Sequence, residues 1–215
     1  ERVTVATPPA EQVANAGAEQ DSGFTIAVLP DTQNYLDYTH QMAEGFPFDA
    51  NELFLEQMQY IADNLESEGG DIAFVTSLGD VWQHQTLAMD PEHAARGFKS
   101  VPNPIMDAHL APSDKTLTVE MPKAHEGFSL IAGKTPFSVV PGNHDYDAMW
   151  TDAKFPPKAT SPAEVDMNDL AGSLGVLHPG GLENFRSVFG AETEFFKDKP
   201  WYVSSHDGGA DSAQV

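Results

Sequence analysis

The sequence contains no cysteine. That removes disulfides, thiolate metal sites and cysteine nucleophiles together. It also lacks any apolar run near the roughly 18 residues that a membrane helix needs, so no spanning segment is expected. Basic residues are scarce: 11 Lys and Arg stand against 33 Asp and Glu, a formal charge of −22. Such a surface repels phosphate backbones and anionic lipid, which disfavours general nucleic-acid and membrane-surface binding. A solvated acidic surface that aids solubility is the plain reading of this charge, with cation collection or a high-salt habitat as the others. There is no initiating Met either. Glu1 is what a cleaved export signal leaves, placing the chain in the periplasm or medium, and also what trimming leaves.

What is present suits a domain with a substantial core, given 215 residues. Residues 1–22, rich in Ala, Glu, Gln and Pro, read as a flexible lead-in to a domain over 23–215. The run 24–29 (FTIAVL), stopped by Pro30, reads as a buried strand. Phe54, Met58, Ile61 and Leu65 share one face of a helix predicted over 50–66. Gly69-Gly70 ends it, and 71–77 (DIAFVTS) is a second buried strand. A helix around 124–132 precedes a third strand at 136–140 (PFSVV). This alternation predicts an α/β architecture with parallel neighbours. Pro-containing segments near 86–123 and 151–178 read as insertions, the first with some helix. A short helix is expected at 181–189 and a strand starting at 201–204.

Each predicted strand ends in a polar cluster: Pro30-Asp31-Thr32-Gln33, then Gly79-Asp80-Val81-Trp82-Gln83-His84, then Gly142-Asn143-His144-Asp145. Ligand sites in open parallel sheets lie beyond the carboxyl ends of the strands. Carboxylate, amide and imidazole groups gathered there suit a hard or borderline divalent ion. Such a set fits phosphate-ester hydrolysis, where two cations neutralise the phosphate, acidify a bound water and hold it in line. Asp80 is the candidate bridge between the ions, and His144, polarised by Asp145, the proton donor to the leaving oxygen.

In this order the clusters resemble the first three signatures of the calcineurin-like metallophosphoesterase family: D-x-H or D-x-Q, G-D, and G-N-H-D/E. The ordered trio spans 24–146, and G-N-H-D after P-F-S-V-V-P is its most diagnostic piece. The resemblance implies a mixed β-sandwich flanked by helices and two divalent metal ions (Mn, Fe, Zn or Mg). It implies Asp31 and Gln33 on the first metal, Asp80 bridging, and Asn143 on the second. His144 would serve the leaving group and Asp145 would orient it. The implied activity is hydrolysis of a small phosphomono- or phosphodiester by metal-bound hydroxide.

Two departures accompany it. Gln33 stands where most members have His, favouring a harder ion. The family's later His and G-H-x-H segment are missing, since only His178 and His206 follow residue 146. The chain therefore reads as the amino-terminal part of such a domain, and a non-catalytic metal-poor scaffold or an inert fragment is the rival expectation. His84 is equally a pocket or a surface residue. His206 reads as a turn residue, and His40, His93, His109, His125 and His178 as solvent-exposed. Trp82, Tyr35 and Tyr146 read as packing around the loops. Oligomeric state is not legible.

Overall fold

The computed structural model describes residues 23–110 and 112–205. The lead-in at 1–22 and His206 lie outside the described residues, as does the side chain of His109.

Three apolar runs form the predicted strands: β1 (Thr25–Leu29), β2 (Ile72–Ser77) and, after a short β3 (Ser100–Val101), β4 (Phe137–Val139). They pair in parallel in the order β1-β2-β4. Parallel neighbours need crossovers, and helices provide them. Between β1 and β2 run α1 (Gln33–Leu36), two 3-10 turns and α2 (Ala50–Asp63). The anticipated stripe on this segment is buried: Phe54, Met58 and Leu65 are 0% exposed and Ile61 7%. Leu65 lies just past the helix, which stops at Asn64. Before β4 comes a π-helical turn (Thr116–Glu120) that runs into α5 (Met121–Ser129). That helix starts earlier than predicted because Pro122 falls in its first turn, where a missing N–H costs nothing.

Successive strand residues face opposite sides of a sheet. Leu29, Val75, Phe137 and Val139 enter the core against Phe54, Met58, Ala124 and Phe128 of the helices. Phe185 and Phe189 of α7 (Glu183–Phe189), with Phe195 and Phe196, complete it. On the opposite face, Phe24 just before β1 and Ile26 and Val28 within it face solvent, at 67%, 50% and 53% exposure. The expectation of a wholly buried first strand is therefore corrected: one side is covered by helices and the other is open.

A second sheet joins β3 (Ser100–Val101), β5 (Ala148–Asp152) and β6 (Leu177–Gly180), antiparallel, in the order β3-β5-β6. None of these strands was predicted by position. The segment 151–178 is no simple insertion, because it links two strands that pair with each other and carries α6 (Leu170–Leu174). The other insertion holds α3 (Pro91–Ala95), β3 and α4 (Met106–Leu110). Residues 201–204 form no strand; Trp201 packs against Phe137 and Phe196 instead. The chain is thus mixed α/β, with two small sheets and seven α-helices among the described residues. No described helix is long and apolar enough to cross a membrane.

Candidate metal centre

The register of the parallel sheet decides where the polar clusters go. Leu29 pairs with Ser77, and Ser77 with Val139. The three chains therefore leave the sheet at the same level and at the same end.

Backbone hydrogen bonds then lock the loops together. The amides of Thr32 and Gln33 donate to the Asp80 carbonyl at 3.1 and 2.9 Å, and Thr32 Oγ1 donates to the Val81 carbonyl at 3.2 Å. Asp80 itself has φ of 50°, a left-handed conformation that non-glycine residues rarely adopt. Strain of this kind persists where surrounding contacts over-determine the backbone. Here the contacts are the Thr32 and Gln33 amides on its carbonyl and the His144 amide, which donates to Asp80 Oδ1 at 2.8 Å. Glycines allow this approach. A Cβ on Gly79 would overlap the Gly142 amide, and one on Gly142 would overlap the Asp80 carboxylate.

Asp145 was expected to orient His144, and the geometry corrects that role. Its carboxylate is fully buried and accepts from the amides of Val81 (2.7 Å), Trp82 (3.2 Å) and Gly142 (2.8 Å). It stitches the second loop to the third. Burial pushes its carboxyl up to about 7, against three amides that favour the charged form, and the neighbouring Asp80 charge adds to the rise. The group that meets His144 is Gln83, whose Oε1 lies 2.7 Å from Nδ1. Burial lowers the His144 pKa, while the charges of Asp80 and Asp31 pull it back up.

Asp31 and Asn143 are exposed, and Asp80, Gln33 and His144 half-buried. Gln33 Oε1 is buried with no hydrogen-bond partner among the described residues. An orphaned acceptor beside two carboxylates is what an oxygen-ligated cation would satisfy. In ligand type, then, Asp31, Gln33, Asp80 and Asn143 fit a hard divalent ion. In number they are few: no three His, Asp or Glu among the described residues group closely enough to hold an ion by themselves.

Two buried groups here went unread in the sequence. His84 is fully buried, both ring nitrogens lack hydrogen-bond partners among the described residues, and its ring lies 6.1 Å from that of His144. Burial, helped by His144, drives its pKa down to about 4, so it is a neutral imidazole. Its placement four residues after Asp80 was the only available signal. Glu120, also 0% exposed, accepts from the amides of Tyr38 (3.3 Å) and Gln83 (2.9 Å). A lone Glu amid TLTVE carries no sign of that.

Other side chains are packing or lie elsewhere. Trp82 is buried and stacks on Phe189 at 5.8 Å, and Tyr35 lies partly buried against the core. His93 and His178, expected at the surface, are half-buried beside Trp150. A groove of about 800 Å³ between β1 and α2 is lined by Leu29, Tyr35, Leu53, Tyr60 and Ile61 and holds none of the candidate ligands. No family model, curated protein or solved structure matches this chain.

Proposed function

We propose that the chain is a metal-dependent phosphoesterase of the calcineurin-like metallophosphoesterase type, acting on small phosphomono- or phosphodiesters. The observation that carries this reading is the joining of the three signature loops through the Asp80 residue, whose carbonyl holds the first loop and whose carboxylate holds the third. Two small sheets, one parallel and covered by helices on one face, are compatible with such a fold.

Asp31 and Gln33 would hold the first divalent cation, Asp80 would face both, and Asn143 would hold the second. Bound there, Mn, Fe, Zn or Mg would supply the positive charge that lets water approach a phosphate. The rest falls to the chain. Asp145 keeps the second and third loops in one place through three amides. Gln83 orients His144 by its Nδ1. Burial favours the neutral ring, and an arriving phosphate, like Asp31 and Asp80, favours the charged one. With substrate bound, His144 would take a proton from solvent at Nε2 and deliver it to the leaving oxygen.

A second reading is a scaffold of this architecture that binds little metal, since Gln33 and Asn143 would offer neutral oxygens and only Asp31 and Asp80 carry charge. One experiment separates the two. Purified protein with Mn²⁺ should release p-nitrophenol from p-nitrophenyl phosphate or its bis-ester, and Asp80→Asn should stop it. Absence of turnover with Mn²⁺, Fe²⁺, Zn²⁺ or Mg²⁺, together with no metal retained by mass spectrometry, would sink the catalytic reading.

A further inference from the structure

Positive charge is scarce in this chain, and part of it is gathered in one place away from the strand-end loops. Among the described residues, Lys115, Lys123, Lys158, Arg186 and Lys197 each face a carboxylate. Arg96, Lys99, Lys134, Lys154 and Lys199 make no ion pair there. Arg96, Lys99 and Lys154 come together at Phe98. The Arg96 guanidinium lies 5.3 Å from the centre of that ring and the Lys154 ammonium 5.2 Å, and Lys99 is the next residue in the chain. All three cations are exposed. The second sheet makes this grouping. The Ala153 amide donates to the Lys99 carbonyl at 2.8 Å, tying the residue after β5 to the residue before β3.

His93 and His178 also pack against Phe98, and the acids beside them are engaged. Asp90 accepts from the His93 amide and faces its ring, and the buried Asp152 accepts from the Lys154 amide at 3.0 Å. Next to the cations is an apolar recess of about 500 Å³, lined by Lys154, Phe155, Pro156, Ala171 and Val176. Phe155 is 58% exposed and Val176 38%. Contact with an aromatic face fixes the position of a cation while its N–H donors stay free. Free donors beside an apolar hollow suit a ligand whose acidic groups flank an apolar side chain. The size of the patch then selects among anions. At physiological salt a charge acts over about 8 Å, so a short segment on the patch is screened from most of the −22 charge elsewhere. A polynucleotide or an anionic membrane extends past three cations and meets that acidic surface. The whole of β5, about 15 Å of strand, separates the patch from the G-N-H-D loop, so a ligand here leaves the candidate metal centre open.

We propose that Arg96, Lys99 and Lys154, with the recess at Phe155 and Val176, form a docking site for a short acidic peptide segment of a partner protein, one apolar side chain of which enters the recess. The site is independent of the phosphoesterase reading and of any metal.

The test titrates the whole chain into a fluorescein-labelled peptide of glutamates around one central phenylalanine and follows polarisation at about 50 mM salt. Saturable binding is expected, weakening several-fold as salt rises to about 300 mM. The double variant Arg96→Glu, Lys154→Glu should bind at least about tenfold more weakly. Lys134→Glu with Lys199→Glu, unpaired cations elsewhere, gives the same net charge and should leave affinity unchanged. Phe155→Ser should cost about fivefold, and so should a peptide with serine in place of its phenylalanine. Combining these two changes should cost little more than either alone, because both remove one contact. All the substituted side chains but Lys134 and Lys199 belong to the patch and are exposed, and circular dichroism of each variant checks that the fold is kept. Three outcomes overturn the proposal: no saturable binding, equal losses in the two double variants, or tighter binding of a thymidine oligonucleotide or of phosphatidylserine vesicles than of the peptide.

Discussion

Two polar clusters in this chain use nearly the same residue types and end differently. One lies where the parallel strands end, around Asp80, His144 and Asp145. The other sits on the antiparallel sheet and α3, where His93 Nδ1 meets Asp90 Oδ2 at 2.8 Å and His178 Nε2 lies 3.3 Å from Asp152 Oδ2. The His178 contact lacks hydrogen-bond geometry, and that nitrogen has no hydrogen-bond partner among the described residues. In the second cluster each imidazole faces one carboxylate and also packs on an aromatic ring. His178 stacks on Trp150 at 4.8 Å, and His93 meets Phe98 and Trp150 edge-on. In the first cluster the carboxylates are turned by backbone amides, and the side-chain oxygen of Gln33 is left over. Residue types alone do not make a site. Backbone amides hold the acids in both: in the second cluster they are local, His93 on Asp90 and Lys154 on Asp152, whereas in the first they come from other loops, His144 on Asp80 and Val81 and Trp82 on Asp145.

That contrast can be broken by experiment. The largest effect is expected at Asp80→Asn, which should abolish phosphoesterase turnover, at least about a hundredfold. Asp152→Asn, in the other cluster, should leave kcat and KM for p-nitrophenyl phosphate unchanged. Equal losses in the two would erase the distinction. Next comes packing: Trp150, 2% exposed, should cost about 3–5 kcal/mol when changed to Ala, measured by urea unfolding. Metal retention by the folded variant should not change.

The third effect depends on pH. Glu120 holds its proton to about pH 7 when folded, against 4.5 as its ordinary value. Its contribution to stability therefore falls as pH rises across that window. Glu120→Gln removes the slope, so wild type should lose on the order of 3 kcal/mol relative to the variant between pH 4.5 and 7. His84 works in the other sense, its pKa lying near 4 folded and 6.5 ordinarily. The stability it contributes is lost as pH falls through that window, in wild type and variant alike. Chemical denaturation at pH 4, 5, 6 and 7 checks both slopes. The smallest effect is Gln83→Leu, with kcat lower by about tenfold and KM unchanged.

Some of this was visible before any coordinates. The strands at 25–29, 72–77 and 137–139 were legible because each apolar run is bounded by a turn-forming residue or a cluster of polar ones. The helix buried through Phe54, Met58 and Ile61 was legible through its period. The antiparallel strands were not. Ala148–Asp152 is buried at all five positions, so it has no alternation, and it follows the G-N-H-D turn without an apolar lead. Leu177–Gly180 contains Pro179 and ends in Gly, both residues that demote a strand on sequence grounds.

At the site, the identities of Asp31, Gln33, Asp80, Asn143 and His144 followed from where they stand after the strands. Their division of labour did not. Asp145 adjoins His144 in sequence, yet it turns inward to the amides of Val81, Trp82 and Gly142. Gln83, 61 positions before His144, is the residue that reaches the ring.

The sequence by itself determined the strand-and-loop order, because period and turn chemistry are local properties. It also determined the inventory of candidate oxygen ligands, because that inventory is simply what stands at the strand ends, with cysteine excluded. Only the tertiary structure decided which acid serves the backbone, which amide holds the imidazole, and that His84 and Glu120 are buried. Those outcomes depend on donors brought from tens of residues away by sheet register and loop contact.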